Sequence, residues 1–171
     1  MRDRVMPAAV QISIVASYAE DEEMRVVLIP VGSGTIISSR GTILTNAHVV
    51  DFARHRAALD SWAASGTQSK SPRDYTLFDG DVVISLPTPS GQPNASYLAT
   101  IVMQDDNRDL AVLQIDMDIE GRAIGRDQLD LPFVPLGDSD EVRIGDPIDI
   151  FGYPAVGGNG LTYTTGVVSG F

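Results

Sequence analysis

Short runs of apolar and β-branched residues, separated by turn residues, recur along almost the whole chain. Residues 10–16 alternate apolar and polar side chains, which is typical of a half-buried strand. Pro30 places the run at residues 25–31 at a sheet edge or a bulge, because proline cannot donate to a strand ladder. Further strands are predicted at residues 35–38, 42–44, 81–86, 96–103 and 110–115, and a second β unit at residues 133–136, 147–152 and 161–170. This pattern predicts an all-β fold, an antiparallel barrel or a sandwich.

One segment, residues 51–64, has a convincing helical pattern. Phe52, then Ala57 or Ala58, and Trp62 recur at helical spacing, and Gly66 follows as a stop signal. Three connections lack a clear period: a polar surface loop at residues 67–74, a hairpin loop at 87–94, and a charged inter-domain connection at 120–131.

The composition excludes several classes of function. The 171 residues carry a net charge of −11, which argues against a nucleic-acid partner because phosphate binding needs a clustered basic face. The chain has no cysteine, so neither a disulfide framework nor a thiolate metal site can form. No apolar run reaches the length of a membrane span, and Met1-Arg2-Asp3-Arg4 lacks the apolar segment of a secretory signal.

The segment at residues 32–50, GSGTIISSRGTILTNAHVV, places His48 where a buried strand leaves the sheet. Loop residues held by a rigid β scaffold often carry function, whereas an isolated histidine is more often a satisfied core residue. This whole string closely resembles the histidine segment of trypsin-like serine peptidases of the HtrA/DegP type. The matching residues are Gly32-Ser33-Gly34, Ile36-Ile37, Gly41, Ile43-Leu44-Thr45-Asn46 and His48-Val49-Val50.

A second string, residues 105–113, places Asp109 before the apolar run Leu110-Ala111-Val112-Leu113. Taken alone, such an aspartate is usually a turn or cap residue. The string resembles the aspartate segment of the same family, and together the two segments imply that His48 is a general base and that Asp109 fixes its tautomer. Asp105 and Asp106 are expected to stay solvated in the turn.

A triad also needs a serine nucleophile and oxyanion donors. The family supplies both from a Gly-x-Ser-Gly-Gly segment, which is absent from residues 1–171. Gly137-Asp138-Ser139 begins like that motif but continues with two carboxylates, which would oppose an oxyanion. The resemblance implies that Ser139 is a turn residue at the start of the second barrel. The resemblance instead implies that the nucleophile lies beyond Phe171 and that residues 1–171 alone are inactive.

The remaining candidates have weaker support. Gly32-Ser33-Gly34 opens a strand and is not a nucleophile elbow, and residues 157–160 are glycine-rich but precede no helix that could cradle phosphate. His55 is predicted to face solvent. Two histidines without cysteine make a metal site improbable, and neither a metal nor a cofactor is expected.

The resemblance thus implies a trypsin-like (chymotrypsin-fold) antiparallel β-barrel. It also implies that residues 1–130 form a complete first barrel with a helical insertion at about 51–74, and that residues 131–171 begin a second barrel. The implied function is serine endopeptidase activity on polypeptides, including unfolded or misfolded ones, in an extracytoplasmic and homo-oligomeric parent. The unfinished second barrel predicts self-association through residues 145–170. The alternatives are a peptidase-like binding module that has lost its nucleophile and, less favoured, an adhesion or carbohydrate-binding β-sandwich.

Overall fold

The computed structural model describes residues 5–64, 75–154 and 160–170. Within these ranges the chain forms eight strands and one α-helix. They are β1 (Ala9–Glu20), β2 (Glu23–Ser38), β3 (Thr42–Thr45), α1 (Phe52–Ala64), β4 (Thr76–Pro87), β5 (Pro93–Asp105), β6 (Leu110–Asp118), β7 (Pro147–Gly152) and β8 (Thr162–Val167).

The first six strands form a closed barrel in the order β1-β2-β3-β6-β5-β4, and every pairing is antiparallel. Closure removes the free strand edges that an open sheet would leave. The barrel encloses a buried core of branched aliphatic side chains, which includes Val10, Ile12, Ile14, Ile36, Ile43, Val82, Ile84, Leu113 and Ile115. The β-branched runs and their alternation therefore produce the predicted all-β fold with a complete first barrel.

Strand β2 is longer than the sequence pattern indicated, because the runs at residues 25–31 and 35–38 belong to one continuous strand. The register against β1 shifts here: Ile12 lies opposite Gly32, while the next residue, Ser13, lies opposite Pro30. The extra residue on β2 is a bulge, which is one of the places where a sheet accepts proline. The prediction for Pro30 is confirmed.

Helix α1 occurs where predicted, but its buried face differs from the expected one. Phe52 and Leu59 pack against the barrel core, whereas Ala57 and Ala58 are exposed. His55 shares the packed face and is half-buried, and its Nε2–H donates to the backbone carbonyl of Val49 at 2.9 Å. The prediction of a solvent-facing His55 is therefore wrong. The loop predicted at residues 67–74 lies outside the described residues.

Strands β7 and β8 form a separate two-stranded antiparallel sheet, as expected for a second β unit that has only begun. The strand predicted at residues 133–136 is wrong. That segment lies along the first barrel, where Val134 N–H donates to Ile36 O at 2.9 Å and Leu131 N–H to Ser39 O at 3.0 Å. The division of the chain at residue 130 stays a prediction. Among the described residues, no helix is both long and apolar enough to cross a membrane.

Candidate active site

The register between β3 and β6 brings the two predicted site residues together. Thr45, the last residue of β3, lies opposite Ala111 of β6. The strands are antiparallel, so residues that follow Thr45 along the chain lie beside residues that precede Ala111. His48 lies in a 3-10 turn at Ala47–Val49, and Asp109 is the last residue before β6. Two segments far apart in sequence thus meet at one end of the barrel.

His48 and Asp109 make a tight, multiply bonded pair. His48 Nδ1 lies 2.8 Å from Asp109 Oδ2 and 3.0 Å from Oδ1, and the backbone N–H of His48 donates to Oδ1 at 2.9 Å. An ionised carboxylate can only accept, so Nδ1 carries a proton, and in the neutral ring Nε2 holds the lone pair. No side chain or backbone group of the described residues bonds Nε2. The imidazole therefore has the orientation of a general base.

The same hydrogen bonds act on the acidity of Asp109. The backbone N–H of His48, and then its side chain, hold the pKa of Asp109 below its usual value. Both side chains remain accessible, with 44% of His48 and 46% of Asp109 exposed. An accessible base with a fixed tautomer can take a proton from a hydroxyl group brought within hydrogen-bond distance of Nε2.

The turn that presents Asp109 is organised by another aspartate. Asp105 Oδ1 accepts the backbone N–H groups of Asn107 and Arg108 at 3.1 Å each, and its Oδ2 accepts from Arg108 Nη1 at 2.7 Å. The Arg108 side chain is the main cause that lowers the pKa of Asp105. Asp105 lies in the turn and stays partly exposed, as expected. The expectation did not include its second role, which is to accept two backbone donors of the turn. Asp106 stays exposed and accepts a hydrogen bond from the Gln104 side chain.

The Gly-Ser-Gly segment of β2 supports the turn that carries His48. A Cβ on Gly32 would lie 2.6 Å from Val49 Cγ2, and one on Gly34 would lie 2.7 Å from Ile43 Cγ2. Between them, Ser33 O accepts the hydroxyl of Thr45 at 2.8 Å. The two glycines let β2 approach β3 and the following turn closely, which explains the segment without any role as a nucleophile.

Ser139 lies in a short 3-10 turn at Ser139–Glu141, whose N-cap Asp138 accepts the backbone N–H of Asp140 at 3.0 Å. Its structure is that of the turn residue predicted. The glycine-rich stretch at residues 157–160 lies largely outside the described residues. Within the described residues, no group of three or more histidine, aspartate or glutamate side chains could hold a metal ion.

Sequence reasoning missed one residue of this site. Asn46 Nδ2 donates to the backbone carbonyl of Asp109 at 3.0 Å and to its Oδ2 at 3.2 Å. The available signal was the position of Asn46 directly after β3, where a polar side chain can reach the turn before the neighbouring strand.

Comparison with known proteins agrees with this architecture. A family model for the trypsin-like peptidase domain matches residues 32–171. A probable periplasmic serine endoprotease, DegP-like, from Rickettsia prowazekii is 30% identical over 141 residues, which cover 82% of this chain and 19% of the relative. The putative serine protease HhoA from Synechocystis sp. is 33% identical over 138 residues, which cover 81% of this chain and 24% of the relative. The DegP-like relatives are thus about five times longer than the part of them that is matched.

Among solved structures, the HtrA-type protease AlgW with a decapeptide superposes with a TM-score of 0.64 at 23% identity, covering 98% of this chain and 43% of that one. The barrel and the opening of a second β unit define a trypsin-like fold. The chain belongs to the trypsin-like peptidase domain family, and its relatives identify it as an HtrA-type member.

Proposed function

We propose that this chain supplies the general base and its orienting carboxylate to a serine endopeptidase. His48 takes the proton of the nucleophile on Nε2, and Asp109 holds the imidazole in the required tautomer and stabilises the imidazolium that forms. The observation that carries this proposal is the 2.8 Å contact between His48 Nδ1 and Asp109 Oδ2 at an accessible end of the barrel. The family membership supports it.

The nucleophile and the oxyanion donors come from outside residues 1–171, since no Gly-x-Ser-Gly-Gly segment occurs in this sequence. The chain alone therefore does not hydrolyse peptides. Cleavage of an unfolded protein by the purified chain, if abolished by His48→Ala, would contradict this part of the proposal.

The substrates are polypeptides, and the parent protein acts outside the cytoplasm. Relatives named as periplasmic serine endoproteases and a similar structure described with a decapeptide support this assignment. Exposed Ile148, Ile150 and Val167 on β7 and β8 favour self-association of the chain through its second sheet.

The decisive experiment uses the natural polypeptide and follows its reading frame beyond the codon for Phe171. Its intact mass and reading frame establish whether a Gly-x-Ser-Gly-Gly segment follows, and cleavage of unfolded casein is then measured. Asp109→Asn is expected to lower kcat on the order of 10⁴-fold, the size of loss seen when a triad histidine takes the wrong tautomer. Asp106→Asn is the matched control, because Asp106 lies in the same turn and, among the described residues, its side chain is hydrogen-bonded only to Gln104.

Two results would overturn the proposal. One is a kcat of Asp109→Asn within tenfold of that of the unsubstituted protein. The other is a natural chain without the serine segment, in which case a peptidase-like binding module takes the place of the enzyme.

A further inference from the structure

The carboxylate of Asp109 has to be held in place in a turn that gives it little support of its own. Asp109 has a backbone φ of 53°, in the left-handed region that a residue with a side chain adopts only with local compensation. Its side chain is 46% exposed, so no surrounding core fixes its rotamer. Because this carboxylate orients the imidazole of His48, any freedom of the carboxylate also loosens the imidazole.

Asn46 contacts both the backbone and the side chain of Asp109. Its Nδ2 lies 3.0 Å from the backbone O and 3.2 Å from Oδ2. Both partners are acceptors, which establishes that the amide nitrogen of Asn46 faces them, and its two hydrogens suffice for the two bonds. The backbone bond holds the left-handed turn, and the side-chain bond holds the carboxylate.

Two neighbours, His48 and Asn46, hold the carboxylate through both of its oxygens. Oδ1 accepts the backbone N–H of His48 at 2.9 Å, while Oδ2 accepts from Asn46 and from His48 Nδ1 at 2.8 Å. Rotation of the carboxylate about its Cβ–Cγ bond would break the contacts on both oxygens. Without the Asn46 side chain, the carboxylate would keep its hydrogen bonds to His48 alone among the described residues. The carboxylate could then orient the imidazole less firmly.

We propose that Asn46 is a positioning residue, which fixes the turn and the carboxylate of Asp109 so that His48 keeps its proton on Nδ1. The importance of this role for catalysis rests on the proposed function, but the tautomer of His48 can be measured without catalysis. Asparagine is suited to this position because it offers two donors on one short side chain. Aspartate has the same shape and no donor when ionised, and alanine has neither.

The test uses the ¹⁵N-labelled 171-residue chain, whose only histidines are His48 and His55. Long-range ¹H–¹⁵N spectra at neutral pH report which ring nitrogen carries the proton, and His48→Gln assigns the two rings. In Asn46→Ala the ratio of the Nδ1–H to the Nε2–H tautomer of His48 should fall roughly 2- to 10-fold, the equivalent of about one hydrogen bond. Asn46→Asp should lower it at least as much, since a carboxylate would then face Asp109 Oδ2.

Asn107→Ala is the matched control, because Asn107 lies in the same turn and, within residues 5–64, 75–154 and 160–170, only its backbone N–H is hydrogen-bonded, to Asp105. Its His48 tautomer ratio should equal that of the unsubstituted chain. Unchanged amide spectra for the barrel strands show that each variant has folded. A tautomer ratio in Asn46→Ala equal to that of the control would overturn the positioning role. An altered ratio supports that role even if the parent protein proves not to cleave peptides, so the two proposals can fail separately.

Discussion

The substitution Gly32→Ala tests how the barrel supports the turn that carries His48. Gly32 lies on β2, opposite Ile12 of β1, and faces Val49 in the turn that follows β3. An added Cβ would lie 2.6 Å from Val49 Cγ2 and 3.0 Å from Cγ1. Carbon atoms in contact prefer a separation of about 3.5–4.0 Å. Because Val49 is only 3% exposed, its side chain cannot turn into solvent to relieve the clash.

Two opposing effects determine the expected loss of stability. Inserting a methyl group into a well-packed site costs about 1–3 kcal/mol. Replacing glycine by alanine also reduces the entropy of the unfolded chain, which stabilises the protein by about 0.4–1 kcal/mol where the backbone conformation allows it. The backbone at Gly32 is not in the left-handed region, so this gain applies. The free energy of unfolding should therefore fall by about 1–2 kcal/mol.

Urea unfolding measures this change, and the chain offers a matched control. Gly137 has open space where its Cβ would lie and no left-handed backbone, so Gly137→Ala should be neutral or slightly stabilising. Val49→Ala should also destabilise the protein, because it removes two buried methyl groups. In the double variant the methyl of Ala at position 32 occupies the space that Val49 leaves. The loss of stability in the double variant should then be smaller than the sum of the two single losses by about 1 kcal/mol.

The reasoning is refuted if Gly32→Ala is as stable as Gly137→Ala, or if the losses of Gly32→Ala and Val49→Ala simply add. A second readout concerns the site itself. Because Val49 follows His48 directly, the clash should change the chemical shifts of the His48 ring in Gly32→Ala. In the double variant, the chemical shifts of the His48 ring should return toward those of the unsubstituted chain.

Three further outcomes are expected. The pKa values of Asp109 and Asp118 are lowered by backbone donors, the N–H groups of His48 and Arg122 respectively. The two ionised carboxylates therefore stabilise the folded chain fully above the ordinary pKa of 3.8. This stabilisation disappears as the pH falls through their lower pKa values in the folded chain. The urea midpoint should therefore drop below about pH 4, and Asp118→Asn should reduce that drop; an undiminished drop would contradict the assignment. Asp105→Ala should speed hydrogen exchange at the backbone amides of Asn107 and Arg108, which donate to Asp105. The amides of the barrel strands should keep their exchange rates. Ile150→Lys should lower the mass measured by light scattering at high concentration, and a strictly monomeric unsubstituted chain would refute self-association.

The sequence predicted those features that depend on local pattern. Alternation and turn residues predict the strands of the first barrel, since the buried face of a strand repeats every second residue. Pro30 itself predicts an edge or a bulge, because proline cannot donate to a strand ladder. The His48 segment could be placed because a buried strand, a turn and a polar residue follow one another without interruption. The role proposed for Asp109 needed the family resemblance, because an aspartate before a strand has the same local pattern whether it caps a turn or serves a site.

The errors and omissions concern residues whose role depends on partners distant in the sequence or on an unexpected face. The apolar segment at residues 133–136 looks like a strand, yet Val134 bonds Ile36 of the first barrel. His55 looked solvated among its charged neighbours, but it lies on the face of α1 that packs against the barrel and donates to Val49 O. Asp105 looked like one more acid in a polar turn, and only the fold of that turn shows it accepting two backbone donors.

The position of the site follows from the pairing of β3 with β6. His48 and Asp109 lie 61 residues apart in the chain, and the antiparallel register that ends with Thr45 opposite Ala111 brings them together. A slip of β3 by one residue against β6 would turn the buried side chains of β3 away from the core, so the barrel core itself holds the register. The geometry of the pair therefore requires only the first barrel. We expect the histidine–aspartate pair to form in this chain whether or not a nucleophile is present, which is why its tautomer can be measured here.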